Sequence, residues 1–194
     1  MSVPYVIEKG KDDQDRVYDL YSRLLMDRII FIRGGIDHDL ADSVVAQLLF
    51  LESTDKESDI TIYINSPGGE VSAMYAIYDT ISHVQPDVAT LGLGECASAA
   101  SFLLASGVKG KRMVLPNTQI MIHELSGGIH GKAGDMRNRF KHTEYLYELM
   151  AKHYVEMTGQ KLSRIKSDME RDFYMTAKEA IKYGLVDKIQ GKRK

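Results

Sequence analysis

Residues 60–104 read ITIYINSPGGEVSAMYAIYDTISHVQPDVATLGLGECASAASFLL, and along this stretch the apolar pattern switches period from one segment to the next. Ile60 to Ile64 is a β-branched run of strand length, and Val71 to Ile81 carries helical spacing. Val88 to Leu93 is strand-like again, and Ala99 to Leu104 returns to helix formers. Short apolar strands that alternate with helices predict parallel βαβ units, because each crossover needs a helix to cover the sheet. The expected architecture is an α/β core of stacked right-handed turns.

Working outward, the spacing predicts a helix from about Gln14 to Met26 and a strand at Ile29 to Ile32. A second helix is expected from about Leu40 to Leu51, with Val44, Val45, Leu48 and Leu49 on its apolar side. Downstream, Met136 to Met157 breaks the alternation. It reads as a long charged helix with Phe140, Tyr145, Leu146, Tyr147, Leu149, Met150 and Tyr154 spread around it, and such a helix needs apolar partners beyond its own domain. A chain of 194 residues with 44% hydrophobic content suffices for one substantial core and is short for two, so a single domain over 1–194 is expected.

With 25 basic and 27 acidic residues the net charge is −2, and no global field steers the chain to nucleic acid or an acidic membrane surface. The GKRK run, Gly191 to Lys194, reads as a solvated end. The single cysteine, Cys96, excludes an internal disulfide framework and fits a reducing compartment. No apolar run approaches the roughly 18 residues of a membrane span, and MSVPYVIEKG lacks the apolar centre of a secretory signal. The expected location is cytoplasmic, or that of a form from which a targeting segment has been removed. The six histidines show no metal-ligand spacing, and no phosphate-cradling glycine motif with lysine is present, so neither metal nor organic cofactor is expected.

Three separated side chains sit in local sequences that suit acyl-transfer chemistry. Ser98 falls where the strand-like run before it meets a helix-forming stretch, a junction at which unpaired amides favour developing negative charge. His123 ends the strand-like QIMIH and is followed by ELSGGIHG, too glycine-rich for ordinary buried sheet. Asp172 precedes a helix start at Thr176. A serine hydroxyl becomes a useful nucleophile when a neutral imidazole takes its proton, and the imidazole works best when a carboxylate fixes its tautomer. Each residue also has a plainer reading: Ser98 as a cap, with Ser101 as its nearest competitor, His123 as a structural histidine, and Asp172 as a capping carboxylate. Ser98 is not in a G-x-S-x-G setting, which disfavours an α/β-hydrolase.

Nine tags, in order and in register, decide between these readings: YSRLLMDRIIF, VVAQLLFLES, IYINSPGGEVSAM, the Ser98 segment, KGKRMVLPN, MIHE, TGQ, ERDFYM and AIKYGLVDKI. Through them the chain resembles, along nearly its whole length, the family of proteolytic subunits of the ATP-dependent Clp protease (ClpP). The resemblance implies a crotonase-like superhelix of ββα units with a protruding handle helix and strand (about 124–158) and an N-terminal axial segment (about 1–18). It implies a serine endopeptidase that degrades unfolded polypeptides to short peptides inside a barrel of two seven-membered rings, a tetradecamer. The barrel would be fed by a ClpX-, ClpA- or ClpC-like AAA+ unfoldase and possibly shared with a second ClpP isoform; ATP would be hydrolysed by that partner. It also implies mature members that begin near Val3-Pro4.

By the same resemblance Ser98, His123 and Asp172 are nucleophile, base and orienting carboxylate, and the backbone amides of Gly68 and Ala99 form the oxyanion hole. Substrate would lie as an added strand between Gly69, Glu70 and Val71 on one side and Leu125, Ser126 and Gly127 on the other, which gives affinity with little sequence selectivity. Unfoldase loops would dock at Tyr63, with Thr61 and His83 standing where aromatic residues are common. Further departures are Glu95, Cys96, Ala99 and Leu125, where glutamine, alanine, methionine and proline are usual; Leu125 regains an amide that proline lacks. Two other readings compete: an acyl-CoA hydratase or isomerase on the same fold, and a structural or regulatory ring subunit that needs a second isoform.

Overall fold

Alternation of the isoleucines builds the centre of the sheet. In the computed structural model, which describes residues 3–10 and 12–191, Ile30 and Ile32 of β3 (Ile29–Ile36) and Ile60, Ile62 and Ile64 of β4 (Ile60–Gly69) are fully buried. Burying one such side chain contributes about 1.5–3 kcal/mol. These positions lie on one face because side chains alternate along a strand. The two strands pair in parallel, and β5 (Val88–Ala97) adds in parallel on the far side of β4. Helices α2 (His38–Thr54) and α3 (Val71–His83) make the crossovers, burying Val44, Leu48, Met74 and Ile77 against the sheet. α2 starts where the Asp37 side chain accepts from the Leu40 amide.

β5 serves two neighbours in succession. Thr90 to Gly92 pair with β6 (Arg112–Val114), and beyond Gly94, whose φ is +64°, Glu95 to Ala97 pair with β7 (Gln119–Ile122). The glycine permits the left-handed turn that splits the sheet into two branches. On one branch β9 (Lys188–Ile189) adds to β6; on the other β8 (Phe173–Thr176) runs antiparallel to β7. Helix α4 (Ala99–Ala105) fills the angle between the branches with every residue buried. The result is a mixed α/β fold with a mostly parallel sheet and, among the described residues, seven helices.

The long helix is present as α5 (Ala133–Thr158), closed by Gly159 at φ +75°. Only its C-terminal part is buried, through Met150, Ala151 and Tyr154, whereas Met136, Phe140 and Tyr145 are exposed. α6 (Leu162–Met169) packs beside it, and α7 (Ala177–Tyr183) begins with a capping box between Thr176 and Glu179. Buried Arg112 ties this end together: its guanidinium donates to both carboxylate oxygens of Asp187 and to the Met157 carbonyl.

Two expectations are corrected. The helix from Gln14 is instead a hairpin, β1 (Tyr5–Lys9) against β2 (Asp15–Asp19), followed by the short α1 (Leu20–Met26). Ile7 faces Val17 across the ladder, so the apolar residues of this segment answer a cross-strand pairing rather than a helix face. Asp19 then starts the helix by accepting from the Tyr21 and Ser22 amides. The glycine-rich segment 124–132 forms no strand. Among the described residues no strand pairs with it, and Gly127, Gly128 and Gly131 weaken extended structure further. Lys192 to Lys194 of the GKRK run lie outside the described residues.

Candidate active site

Strand register brings the three candidate side chains to one edge. Ala97 ends β5 opposite Met121 of β7, and the Ser98 amide donates to the Met121 carbonyl at 2.8 Å. Ile122 ends β7 opposite Phe173 of β8, so the next residue of one strand, His123, meets the preceding residue of the other, Asp172. Ser98 and His123 thus lie beyond the carboxyl ends of parallel strands, the usual place for chemistry in open α/β sheets.

The side chains meet there. Nε2 of His123 lies 2.8 Å from Oγ of Ser98, and Nδ1 of His123 lies 3.3 Å from Oδ1 of Asp172. The His123 side chain is 22% exposed and that of Asp172 56%, so the imidazole is sheltered while the carboxylate keeps contact with solvent. When Nε2 accepts from the hydroxyl, the ring proton lies on Nδ1 and faces the carboxylate. An alcohol, an imidazole and a carboxylate in this order can activate the oxygen for attack on a carbonyl.

Ser98 has φ +56° and ψ −124°, a conformation that costs a non-glycine residue of order 1–3 kcal/mol. The strain follows from its position: the chain must turn sharply from β5 into α4 with no intervening loop. Although the G-x-S-x-G pattern is absent, the backbone makes the same sharp strand-to-helix turn that exposes a serine oxygen. Gly68, at φ +100°, packs on this turn so closely that a Cβ there would lie 2.7 Å from the Ser98 Cβ and 2.8 Å from the Ala97 carbonyl.

The two amides assigned to the oxyanion hole fare differently. Ala99 is the first residue of α4, so its N–H has no acceptor within the helix. The Gly68 N–H, by contrast, donates to Oγ of buried Ser66 at 3.0 Å. Gly69 lines the cleft beside Ser98, Ala99 and His123, and Gly68 does not. The Glu70 N–H returns to the Ile36 carbonyl of β3 at 2.7 Å, and amides alternate along an extended chain, which turns the Gly69 N–H toward Ser98. Of the two glycines, Gly69 is the one beside Ser98 in the cleft, while the Gly68 amide is engaged by Ser66. The sequence shows two adjacent glycines and no sign of which one Ser66 engages.

Other candidates cluster as expected or stand apart. Gly69, Val71, Leu125 and Ser126 line the cleft at Ser98, and Leu125, Ser126 and Gly127 continue into an adjoining depression of about 620 Å³ with His123 and Asp172. Glu70 leans outward, its carboxylate 3.2 Å from His38 Nε2. Thr61 and Tyr63 share the outer side of β4, where Tyr63 stacks on Phe31 at 5.3 Å, and His83 is the exposed last residue of α3. Glu95 is exposed. Cys96 is buried, its Sγ donating to the Ile64 carbonyl, and burial pushes the thiol up to about 12. Among the described residues no helix is long and apolar enough to cross a membrane.

A mixed α/β sheet carries this cluster of alcohol, imidazole and carboxylate at its strand ends. The family model for Clp protease matches residues 11–193, and the chain belongs to that family. Membership makes it a peptidase by class and implies oligomerisation and association with Clp ATPases.

Proposed function

We propose that the chain is a serine endopeptidase that cleaves unfolded polypeptides within a double heptameric ring fed by a Clp-type AAA+ unfoldase. The observation that carries the reading is the continuous contact Ser98–His123–Asp172. As Ser98 Oγ attacks the scissile carbonyl, its proton passes to His123 Nε2, and Asp172 stabilises the imidazolium that forms. The carbonyl oxygen becomes an oxyanion facing the amides of Ala99 and Gly69, donors of a kind worth 10²- to 10³-fold each. His123 then protonates the departing amine, and water, activated by the same imidazole, releases the acyl group from Ser98.

Substrate main chain fits along Gly69 to Val71, with the segment Leu125 to Gly127 opposite. That segment forms no strand in the isolated chain, so an extended peptide would supply the pairing it lacks. Contact among all three groups favours hydrolysis through an acyl-enzyme over hydratase chemistry, which has no use for an activated serine. Docking of unfoldase loops is assigned to the outer side of β4 at Thr61 and Tyr63 and to His83. Stimulation of folded-substrate degradation by a panel of unfoldases tests it; equal stimulation of the Tyr63→Ala variant would remove Tyr63 from the docking site.

The purified protein is expected to hydrolyse a short fluorogenic peptide, to be labelled by a serine-reactive phosphonate, and to show the mass of a tetradecamer in solution. Ser98→Ala should abolish the first two and leave the third. Silence that ends when a second isoform is added would replace this reading with the regulatory-subunit one.

A further inference from the structure

Behind Ser98 lies a buried polar pair that packing alone does not require. Ser101 on α4 and Tyr154 on α5 are both fully buried, 53 residues apart in sequence, with their hydroxyls 3.0 Å apart. Ser101 Oγ also donates to the Ser98 carbonyl at 2.7 Å. Since a serine hydroxyl has one proton, this bond obliges the tyrosine to donate in the other. Burial raises the Tyr154 phenol above its ordinary value, which keeps that donor protonated. The direction of the chain is then Tyr154 O–H to Ser101 Oγ, and Ser101 O–H to the Ser98 carbonyl.

The Ser98 carbonyl and the Ala99 N–H belong to one peptide plane, and in a trans peptide they point in opposite directions. Whatever anchors the carbonyl therefore aims the amide. Backbone N–H groups of Ser101 and Phe102 also reach this oxygen, at 3.0 and 3.2 Å, but the hydroxyl bond is the shortest of the three. Tyr154 is held in turn by an edge-to-face contact with Phe102, ring centroids 5.3 Å apart. A strained residue at φ +56° persists only where its surroundings over-determine it, and this relay supplies one such constraint from a separate helix.

We propose that Ser101 and Tyr154 are positioning residues that aim the Ala99 amide at the developing oxyanion, carrying the placement of α5 into the reaction centre. This rests on the peptidase reading of Ser98. A donor that acts on the transition state affects turnover more than substrate affinity. Ser101→Ala and Tyr154→Phe should each lower kcat by about 3- to 30-fold with KM nearly unchanged, less than loss of an oxyanion donor itself because the two backbone donors remain. The rate of phosphonate labelling should fall in parallel, since the phosphoryl oxygen occupies the oxyanion position. The two hydroxyls act in series, so the double variant should be no slower than Ser101→Ala alone, and Ser101→Thr should recover most of the loss.

The assembled particle is used throughout, with mass and melting temperature measured for every variant; if Ser101→Ala does not assemble, Tyr154→Phe carries the test. Unchanged kcat and labelling in folded Tyr154→Phe, a loss confined to KM, or multiplicative losses in the double variant would each overturn the proposal. Failure of the underlying reading looks different: wild-type protein would resist the phosphonate, and Ser98→Ala would match it in every assay.

Discussion

Phe173 stands across from Ile122 in the antiparallel ladder of β7 and β8, and this pairing alone determines that His123 and Asp172 touch. A one-residue slip would turn one of the two to the other side of the sheet. The carboxylate is thus held by strand register, on a side chain that is itself more than half exposed. Asp172→Asn should leave the melting temperature nearly unchanged and lower kcat by about 10²- to 10⁴-fold, because the imidazole loses the partner that fixes its tautomer. Steady-state hydrolysis of a fluorogenic peptide measures it.

Gly68→Ala should be among the most damaging small changes in the chain. The new methyl would meet the Ser98 Cβ at 2.7 Å and the Ala97 carbonyl at 2.8 Å, at a φ of +100° that L side chains rarely adopt. A cost of at least about 2 kcal/mol is expected from the backbone conformation and the clash together, seen as a lower melting temperature with loss of phosphonate labelling.

Ser66→Ala separates the two glycines as oxyanion donors. Removing the hydroxyl leaves the buried Gly68 N–H unpaired, which costs about 1–3 kcal/mol. Turnover per folded site should hold steady if Gly69 is the donor. A rise in kcat would return the role to Gly68, whose amide the substitution frees.

Arg112→Met should destabilise the fold by about 3–5 kcal/mol, the cost of breaking a buried ion pair from one side. Burial pushes the Asp187 carboxyl up, but hydrogen bonds and charge from Arg112 outweigh it and hold the group below the ordinary aspartate value. A lowered value means the native state favours the charged form. The stability this contributes is complete above the unfolded value, about 3.9, and is lost as pH falls through the lower folded value. Chemical denaturation at several pH values should show this acid-side decline in the parent chain and a weaker one in the variant.

Much of the fold is legible in the sequence. β-branched runs at Ile60 and Val88 and the helical spacing between them announced the parallel sheet, because burial imposes those periods directly. Ser98, His123 and Asp172 stand out through motif register, and their contact depends on strand ends that the sequence marks only roughly. The N-terminal hairpin was missed because Val17, Tyr18 and Tyr21 satisfy a helical spacing as readily as a cross-strand one. The handle strand after His123 is implied by the family resemblance alone, while the glycines of 124–132 already argue against ordinary sheet, and pairing is a property of neighbours. The engagement of Gly68 by Ser66 and the bond between Ser101 and Tyr154 are tertiary facts, with no local signature at either residue.

Cys96 is the only thiol in the chain, sealed in the strand that delivers Ser98 and held protonated far above neutrality. An alkylating reagent finds nothing to attack while β5 stays closed. The rate at which iodoacetamide consumes that sulfur therefore clocks how often the strand leading into Ser98 opens, a built-in reporter on local breathing.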